Sequence, residues 1–147
     1  MKDSKRIWIW VGVVVVVCVV VFAVVWKPAL KPATGPVPVY APQGQLVPQF
    51  PALLILDSAA VVNGSYAINY SSSTNQYTAQ YNSSDTVASV YASYKQYLPA
   101  NGWSITNDIT KYSTSRGLYA SNASSDVAVG IVTQGKGSQV TITYVVN

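Results

Sequence analysis

A run of twenty residues without a charge, from Ile7 to Trp26, is the feature that most constrains this chain. A helix of that length spans about 30 Å at about 1.5 Å per residue, which is the thickness of a bilayer's hydrocarbon core. Eleven of the residues are Val, a poor helix former in water, but lipid offers the backbone no competing hydrogen-bond partners. The sequence therefore predicts one transmembrane helix over residues 7–26.

Cations flank this run, and indole side chains lie near its two ends. The residues expected at the membrane interfaces are Lys2, Lys5, Arg6, Trp8, Trp10, Trp26 and Lys27. The excess of cations on the N-terminal side predicts a cytoplasmic segment 1–6 and an extracytoplasmic C-terminal domain in a single-pass protein of the cell membrane.

Two processing alternatives compete with a retained signal-anchor. A cleaved signal peptide has an apolar core of about 7–15 residues before a small-residue site, whereas this core is longer and no such site follows. A lipoprotein needs a cysteine after a small residue, but Cys18 follows Val17 in the middle of the run. We therefore expect Cys18 to be a small apolar residue in lipid.

The segment 27–48 carries six prolines and predicts an extracytoplasmic linker that is extended and semi-rigid, with a reach of roughly 60–70 Å. It is either a spacer through a surface layer or a tether of no particular length. The remaining residues, 49–147, predict one domain near the commonest domain size.

Period-two patterns predict most of this domain as strands. The apolar run Leu53 to Leu56 predicts a first, buried strand. The further alternating segments are Tyr66–Tyr70, Tyr77–Tyr81, Trp103–Ile105, Leu118–Ala120, Val127–Ile131 and Val140–Val146.

One helix is predicted between the third and fourth strands. Ser84 is the expected N-cap, with Asp85 in the first turn, and Pro99 and Gly102 should end the helix near Leu98. Its apolar stripe is Val87, Val90, Tyr91, Tyr94 and Leu98. The order predicts an α+β fold, in which a small antiparallel β-sheet is covered by one helix.

The chain from Phe50 to Asn147 resembles a loosely defined group of small, membrane-anchored bacterial envelope proteins with no known activity. The segments that carry this resemblance are Phe50-Pro51, Leu54 to Asp57, Ser84 to Leu98, Gly102-Trp103, Leu118 to Ala120 and Val140 to Val145. The resemblance implies the same architecture and a bacterial origin.

The residues that usually perform catalysis or bind metals are scarce. The chain has no His or Glu, its single Cys lies in the apolar run, and the acids after that run are Asp57, Asp85, Asp108 and Asp126. These four are isolated in sequence, so we expect structural roles for them, no catalytic site, no metal site and no cofactor. A glycosidase would require the fold to bring two of them together.

The short polar motifs of the chain are expected to have structural roles. Gly135-Lys136-Gly137 lies between two predicted strands and is expected to be a β-turn. The sequons at Asn63, Asn69, Asn82 and Asn122 are expected to be polar surface. The residues after Trp26 carry a net charge of +2, which does not favour nucleic acid as a partner.

All eleven tyrosines lie after Trp26, and most fall on predicted core faces. Any that point outward would form a surface suited to sugars or peptides. We therefore predict a non-enzymatic binding or interaction domain whose partners, besides the lipid bilayer, are another envelope protein or cell-wall glycan. The alternative is a structural protein that self-associates through an exposed terminal strand, Gln139 to Val146.

Overall fold

The alternating segments form strands, as their period predicts. The computed structural model describes residues 35–147, and the strands in it are β1 Val39–Tyr40, β2 Val61–Asn69, β3 Asn75–Ser83, β4 Ser104–Ile109, β5 Ser115–Ser121, β6 Ser125–Gln134 and β7 Gly137–Val146. One α-helix, α1 (Val87–Ala100), lies between β3 and β4. The predicted α+β sheet domain with one helix is thus confirmed for the described part of the chain.

All strand pairs are antiparallel, and the order across the sheet is β1-β2-β3-β7-β6-β5-β4. The C-terminal strand β7 is therefore central, with β3 on one side and β6 on the other. The prediction that Gln139 to Val146 is a free edge for self-association is wrong, because both edges of this strand already have backbone partners. The edge strands of the sheet are β1 and β4.

Helix α1 covers one face of the sheet, which we call the inner face. The predicted stripe of Val87, Val90, Tyr91, Tyr94 and Leu98 is buried. It packs on inward-facing strand residues, which include Leu118, Ala120, Val127, Val129, Ile131, Val140 and Ile142. The other face carries no helix in the described residues, and we call it the open face.

The helix begins later and ends later than predicted. Thr86, not Ser84, is the N-cap, and its hydroxyl accepts from the Ser89 N–H at 3.3 Å. Ser83 is the last residue of β3, so residues 84 and 85 are needed for the turn, and Asp85 precedes the first helical turn. Pro99 lies inside the last turn, where its missing N–H costs little.

Gly102 ends the helix as predicted, with φ 81°. The Trp103 N–H donates to the Leu98 carbonyl at 3.0 Å, and the Gly102 N–H donates to the Pro99 carbonyl at 3.3 Å. These are the two bonds of a Schellman motif, which satisfies carbonyl groups that a helix end leaves without partners.

Residues 41–60 form an irregular segment, which we call the strap, that covers part of the inner face. The predicted strand at Leu53–Leu56 is wrong, because Ala52–Leu54 is a 3-10 turn in which Leu54 is buried and Leu53 is 80% exposed. Val47 and Phe50 join Leu54 in the core.

The structure also moves the predicted boundary between linker and domain. Within the predicted linker, Val39 and Tyr40 pair with β2, and the Val47 N–H donates to the buried Ser65 hydroxyl at 3.1 Å. Prolines are tolerated there because β1 is a two-residue edge strand. The compact unit begins at Pro36 rather than at residue 49.

The predicted cytoplasmic segment, transmembrane helix and membrane-interface residues lie outside the described residues. From Gly35 to Asn147, no helix is both long and apolar enough to cross a bilayer.

Candidate functional site

The space between α1, the strap and the sheet is filled by side chains. Tyr81 and Tyr94 are 1% and 0% exposed, and their hydroxyl oxygens lie 2.9 Å apart. Tyr94 donates to the Leu54 carbonyl at 2.6 Å, so it accepts from Tyr81. Burial raises the pKa of both tyrosines above the usual 10.0. The pair therefore remains protonated at physiological pH and joins the sheet, helix and strap.

A small pocket of about 40 Å³ lies beside this pair and is lined by two of the four aspartates, Asp57 and Asp85. The Asp57 carboxylate accepts from the Ser83 hydroxyl at 2.6 Å and from the Ala59 N–H at 2.8 Å. A pocket of this size holds about one water molecule, not a sugar ring. The geometry therefore gives the Asp57 carboxylate a structural role, and the pocket is too small for the sugar that a glycosidase would bind.

The open face presents a row of opposed residues that crosses the sheet from edge to edge. In strand order they are Tyr40, Tyr66, Thr78, Thr143, Ala128, Tyr119 and Asn107. At one end the rings of Tyr40 and Tyr66 lie 5.6 Å apart, and at the other end Tyr119 is 45% exposed. Tyr66 and Tyr119 are four strand spacings apart, which is about 19 Å.

The row between these tyrosines is shallow. A depression of about 210 Å³ lies beside Tyr119, with Ala128, Thr143, Thr106 and Asp126 among its lining residues. This volume is below the roughly 300–1,000 Å³ of an enclosed small-molecule pocket. The depression therefore suits a ligand that lies along the surface and continues beyond it.

The neighbouring row on the open face contains three glycines, and we call it the glycine row. In strand order its members are Gly64, Gln80, Thr141, Gly130, Gly117 and Ile109. A Cβ atom at Gly64 would meet nothing within 4 Å, and one at Gly130 would approach only the Thr141 carbonyl oxygen, at 3.9 Å. Gly64 and Gly130 thus leave backbone accessible beside the tyrosine row, although their strands could accept a side chain there. At Gly117 an added Cβ would lie 3.7 Å from the Ile109 side chain.

A charged cluster lies where α1 meets β4 and β5. Lys95 forms a 2.8 Å ion pair with Asp108, and the Tyr91 hydroxyl lies 2.7 and 2.8 Å from the two Asp108 oxygens. The Arg116 guanidinium lies 4.8 Å from the centre of the Tyr91 ring. Hydrogen bonds from Lys95 and Tyr91, with the nearby Arg116 charge, lower the pKa of Asp108. Hydrogen bonds to Asp108 and Tyr91 raise the pKa of Lys95.

The periodicity predicts correctly which tyrosines are buried in only some cases. Tyr77, Tyr81, Tyr91 and Tyr94 are buried, which confirms them as core residues. Tyr70 is 53% exposed, although the pattern placed it on a packed strand face. Sequence reasoning named neither Tyr40 nor Tyr119 as a surface aromatic.

Comparison with known proteins gives one match. A family model described as START domain-like matches residues 64–143, more than half of the chain. The chain belongs to the START domain-like family. Neither a curated protein nor a solved structure matches it significantly.

The part of this START domain-like chain that matches the family runs from β2 into β7 and includes α1. Both β1 and the strap precede the match. The side chains of Val47, Phe50 and Leu54, which fill the inner face beneath the strap, thus come from outside the family's span.

Proposed function

We propose that this chain is a single-pass membrane protein whose extracytoplasmic domain is a non-enzymatic binding domain for cell-wall glycan, with the ligand lying across the open face. START domain-like proteins are generally ligand-binding domains, which supports a binding role over an enzymatic one. The observation that carries the proposal is the row on the open face, in which exposed tyrosines stand at both ends.

The chemistry of this face favours a neutral polar ligand with flat apolar surfaces. Tyrosine provides an apolar ring and a polar tip, and Thr106, Thr143 and Asn107 add neutral hydrogen-bonding groups. Asp126 is the carboxylate at the depression, and it already accepts from the Asn147 amide at 2.8 Å. A glycan chain of two or more sugars matches these features and the distance of about 19 Å between the aromatic ends.

The inner face is less suited to such a ligand, since its tyrosines are buried and the pocket beside them holds about 40 Å³. A peptide added as a strand would require a free sheet edge, whereas the tyrosine row lies on the face. The open face is therefore a better glycan-binding surface than the inner face or a sheet edge.

Glycan binding is tested with the full chain in mild detergent and insoluble cell-wall glycan as the probe. Tyr119→Ala should weaken retention about tenfold, because loss of an aromatic contact costs about 1.4 kcal/mol. Gly130→Gln should also weaken it, because the side chain fits the strand but occupies the glycine row. Tyr112→Ala is the matched control, since Tyr112 is 55% exposed but lies in the loop between β4 and β5. Equal retention of all four proteins would contradict the proposal.

The proposed location is tested separately with Tyr112→Cys in a Cys18→Ala background. A membrane-impermeant maleimide added to intact cells should label this exposed position if the domain is extracytoplasmic. Labelling that appears only after the cells are lysed would contradict the proposed orientation.

A second candidate is an apolar ligand on the inner face, because small hydrophobic molecules such as lipids are typical ligands of START domain-like proteins. Such a ligand would have to displace the strap, since Val47, Phe50 and Leu54 are at most 6% exposed. Addition of a fatty acid should then accelerate hydrogen exchange at the Val47 amide, which now donates to Ser65. A glycan on the open face should leave that amide protected.

A further inference from the structure

The charges of the described residues are unevenly distributed. Residues 35–147 contain four cations and four carboxylates, so their formal net charge is zero. Three of the cations, Lys95, Lys111 and Arg116, belong to the corner formed by α1 and the β4–β5 hairpin, whereas Asp108 is the carboxylate there. This corner therefore carries a formal charge of about +2 on a domain that is neutral as a whole.

The same hairpin exposes apolar surface at its tip, residues 109–114. Tyr112 is 55% exposed and Ile109 is 42% exposed. The Lys111 ammonium lies 5.4 Å from the centre of the Tyr112 ring, so a cation and an aromatic side chain are presented together. Tyrosine and lysine in combination are typical of segments that lie at a membrane interface, where the ring meets the acyl boundary and the ammonium reaches the headgroups.

The carboxylate of this corner is already engaged. Asp108 accepts from Lys95 and Tyr91, and its lowered pKa keeps it ionised. Lys111 lies outside this ion pair and has its ammonium on the exposed hairpin tip.

We infer that the tip of the β4–β5 hairpin is a docking surface for a bilayer that contains anionic phospholipid. The positive corner complements the negative headgroups, and each Lys or Arg near such a surface contributes about 1 kcal/mol, or about fivefold in the ratio of docked to free domain. Ile109 and Tyr112 decide between a bilayer and a soluble anion, because exposed apolar side chains are stabilised only by an apolar phase. Docking is a property of the hairpin, and Ile109, which also ends the glycine row of the open face, is the residue that the two surfaces share.

The test places a nitroxide label at the hairpin tip of the full chain. Tyr112→Cys in a Cys18→Ala background is reconstituted in nanodiscs of phosphatidylcholine, with or without phosphatidylglycerol. Collisions of the label with oxygen and with a water-soluble nickel chelate then report its depth. Tyr70→Cys is the matched control, because Tyr70 is 53% exposed and lies at the opposite end of the sheet.

Docking predicts that the label at position 112 becomes accessible to oxygen and protected from the nickel chelate in anionic nanodiscs, while the label at position 70 remains in water. Lys111→Ala should lower the docked-to-free ratio about fivefold, and 0.5 M salt should lower it further by screening. A label at position 112 that stays in water in both kinds of nanodisc would overturn the inference. Immobilisation of this label to the same degree with and without phosphatidylglycerol would also overturn it, because the hairpin would then contact another partner. If the chain fails to enter nanodiscs, the anchor proposal is wrong, and the same two labels mixed with preformed vesicles still test the hairpin.

Discussion

Tyr94 should contribute far more to stability than Tyr81, although both are tyrosines of the same buried pair. The Tyr94 hydroxyl has two protein partners, since it accepts from Tyr81 at 2.9 Å and donates to the Leu54 carbonyl at 2.6 Å. Tyr94→Phe therefore leaves two buried groups without a partner. Each costs about 1–3 kcal/mol, so we expect a loss of about 2–6 kcal/mol in the free energy of unfolding.

Tyr81→Phe removes only a donor and leaves the bond from Tyr94 to the strap intact. We expect it to cost about 0.5–1.5 kcal/mol. In the Tyr81→Phe background, Tyr94→Phe should cost less than it does alone, because the Leu54 carbonyl is then the only orphaned group. The double-mutant cycle should accordingly show a coupling of about 1 kcal/mol or more.

The cycle can be measured by urea unfolding of the full chain in mild detergent, followed by near-ultraviolet circular dichroism. A constant slope across the four proteins would verify that the midpoints report stability alone. Equal costs for the two single substitutions, with strict additivity in the double variant, would refute the proposed direction of the hydrogen bonds.

Four further outcomes can be checked with the same protein. Gly137→Ala should destabilise the domain by about 1–3 kcal/mol, because its Cβ would overlap the Ser83 carbonyl oxygen, whereas Gly130→Ala should be close to neutral; equal urea midpoints would contradict this. Gly102→Ala should cost about 1 kcal/mol through its φ of 81° alone, since nothing lies within 4 Å of an added Cβ. A loss of stability well above this value would indicate a steric clash instead. The pKa values of the two buried tyrosines, Tyr81 and Tyr94, are raised in the folded state. The free energy of unfolding should therefore be constant below about pH 10 and fall above it by at most about 1.4 kcal/mol per pH unit for each tyrosine. An unchanged urea midpoint at pH 11 would exclude this linkage. Asp108→Asn removes the carboxylate of the positive corner and should raise the docked-to-free ratio on anionic nanodiscs about fivefold, as read from the label at position 112; a lower ratio would mean that Asp108 is needed to position Lys95.

The sequence predicts those helices and strands whose geometry requires a regular spacing of apolar side chains. Alternation predicts β2, β3 and β7, and helical spacing predicts the buried face of α1. The run Leu53 to Leu56 has no period, so nothing in it distinguishes a buried strand from the turn that buries Leu54 and exposes Leu53. Two residues between Pro38 and Pro42 likewise give no signal for β1.

The candidate surfaces depend on strand order and register, which a single sequence does not determine. Tyr40 and Tyr119 share a row only because four other strand positions connect them across the sheet. Lys95, Asp108 and Arg116 meet because α1 lies across β4 and β5, and no short spacing in the chain indicates this. Their residue types could be noted from the sequence, but not their proximity.

The central position of β7 determines when the domain can be completed during synthesis. The β2–β3 hairpin and the β4–β6 meander are each made of consecutive strands, yet they join only through the last strand, Gly137–Val146. A chain that emerges N-terminus first can therefore form these two parts early but cannot close the sheet until β7 has been synthesised. Until then the two parts remain unjoined and the domain is incompletely folded.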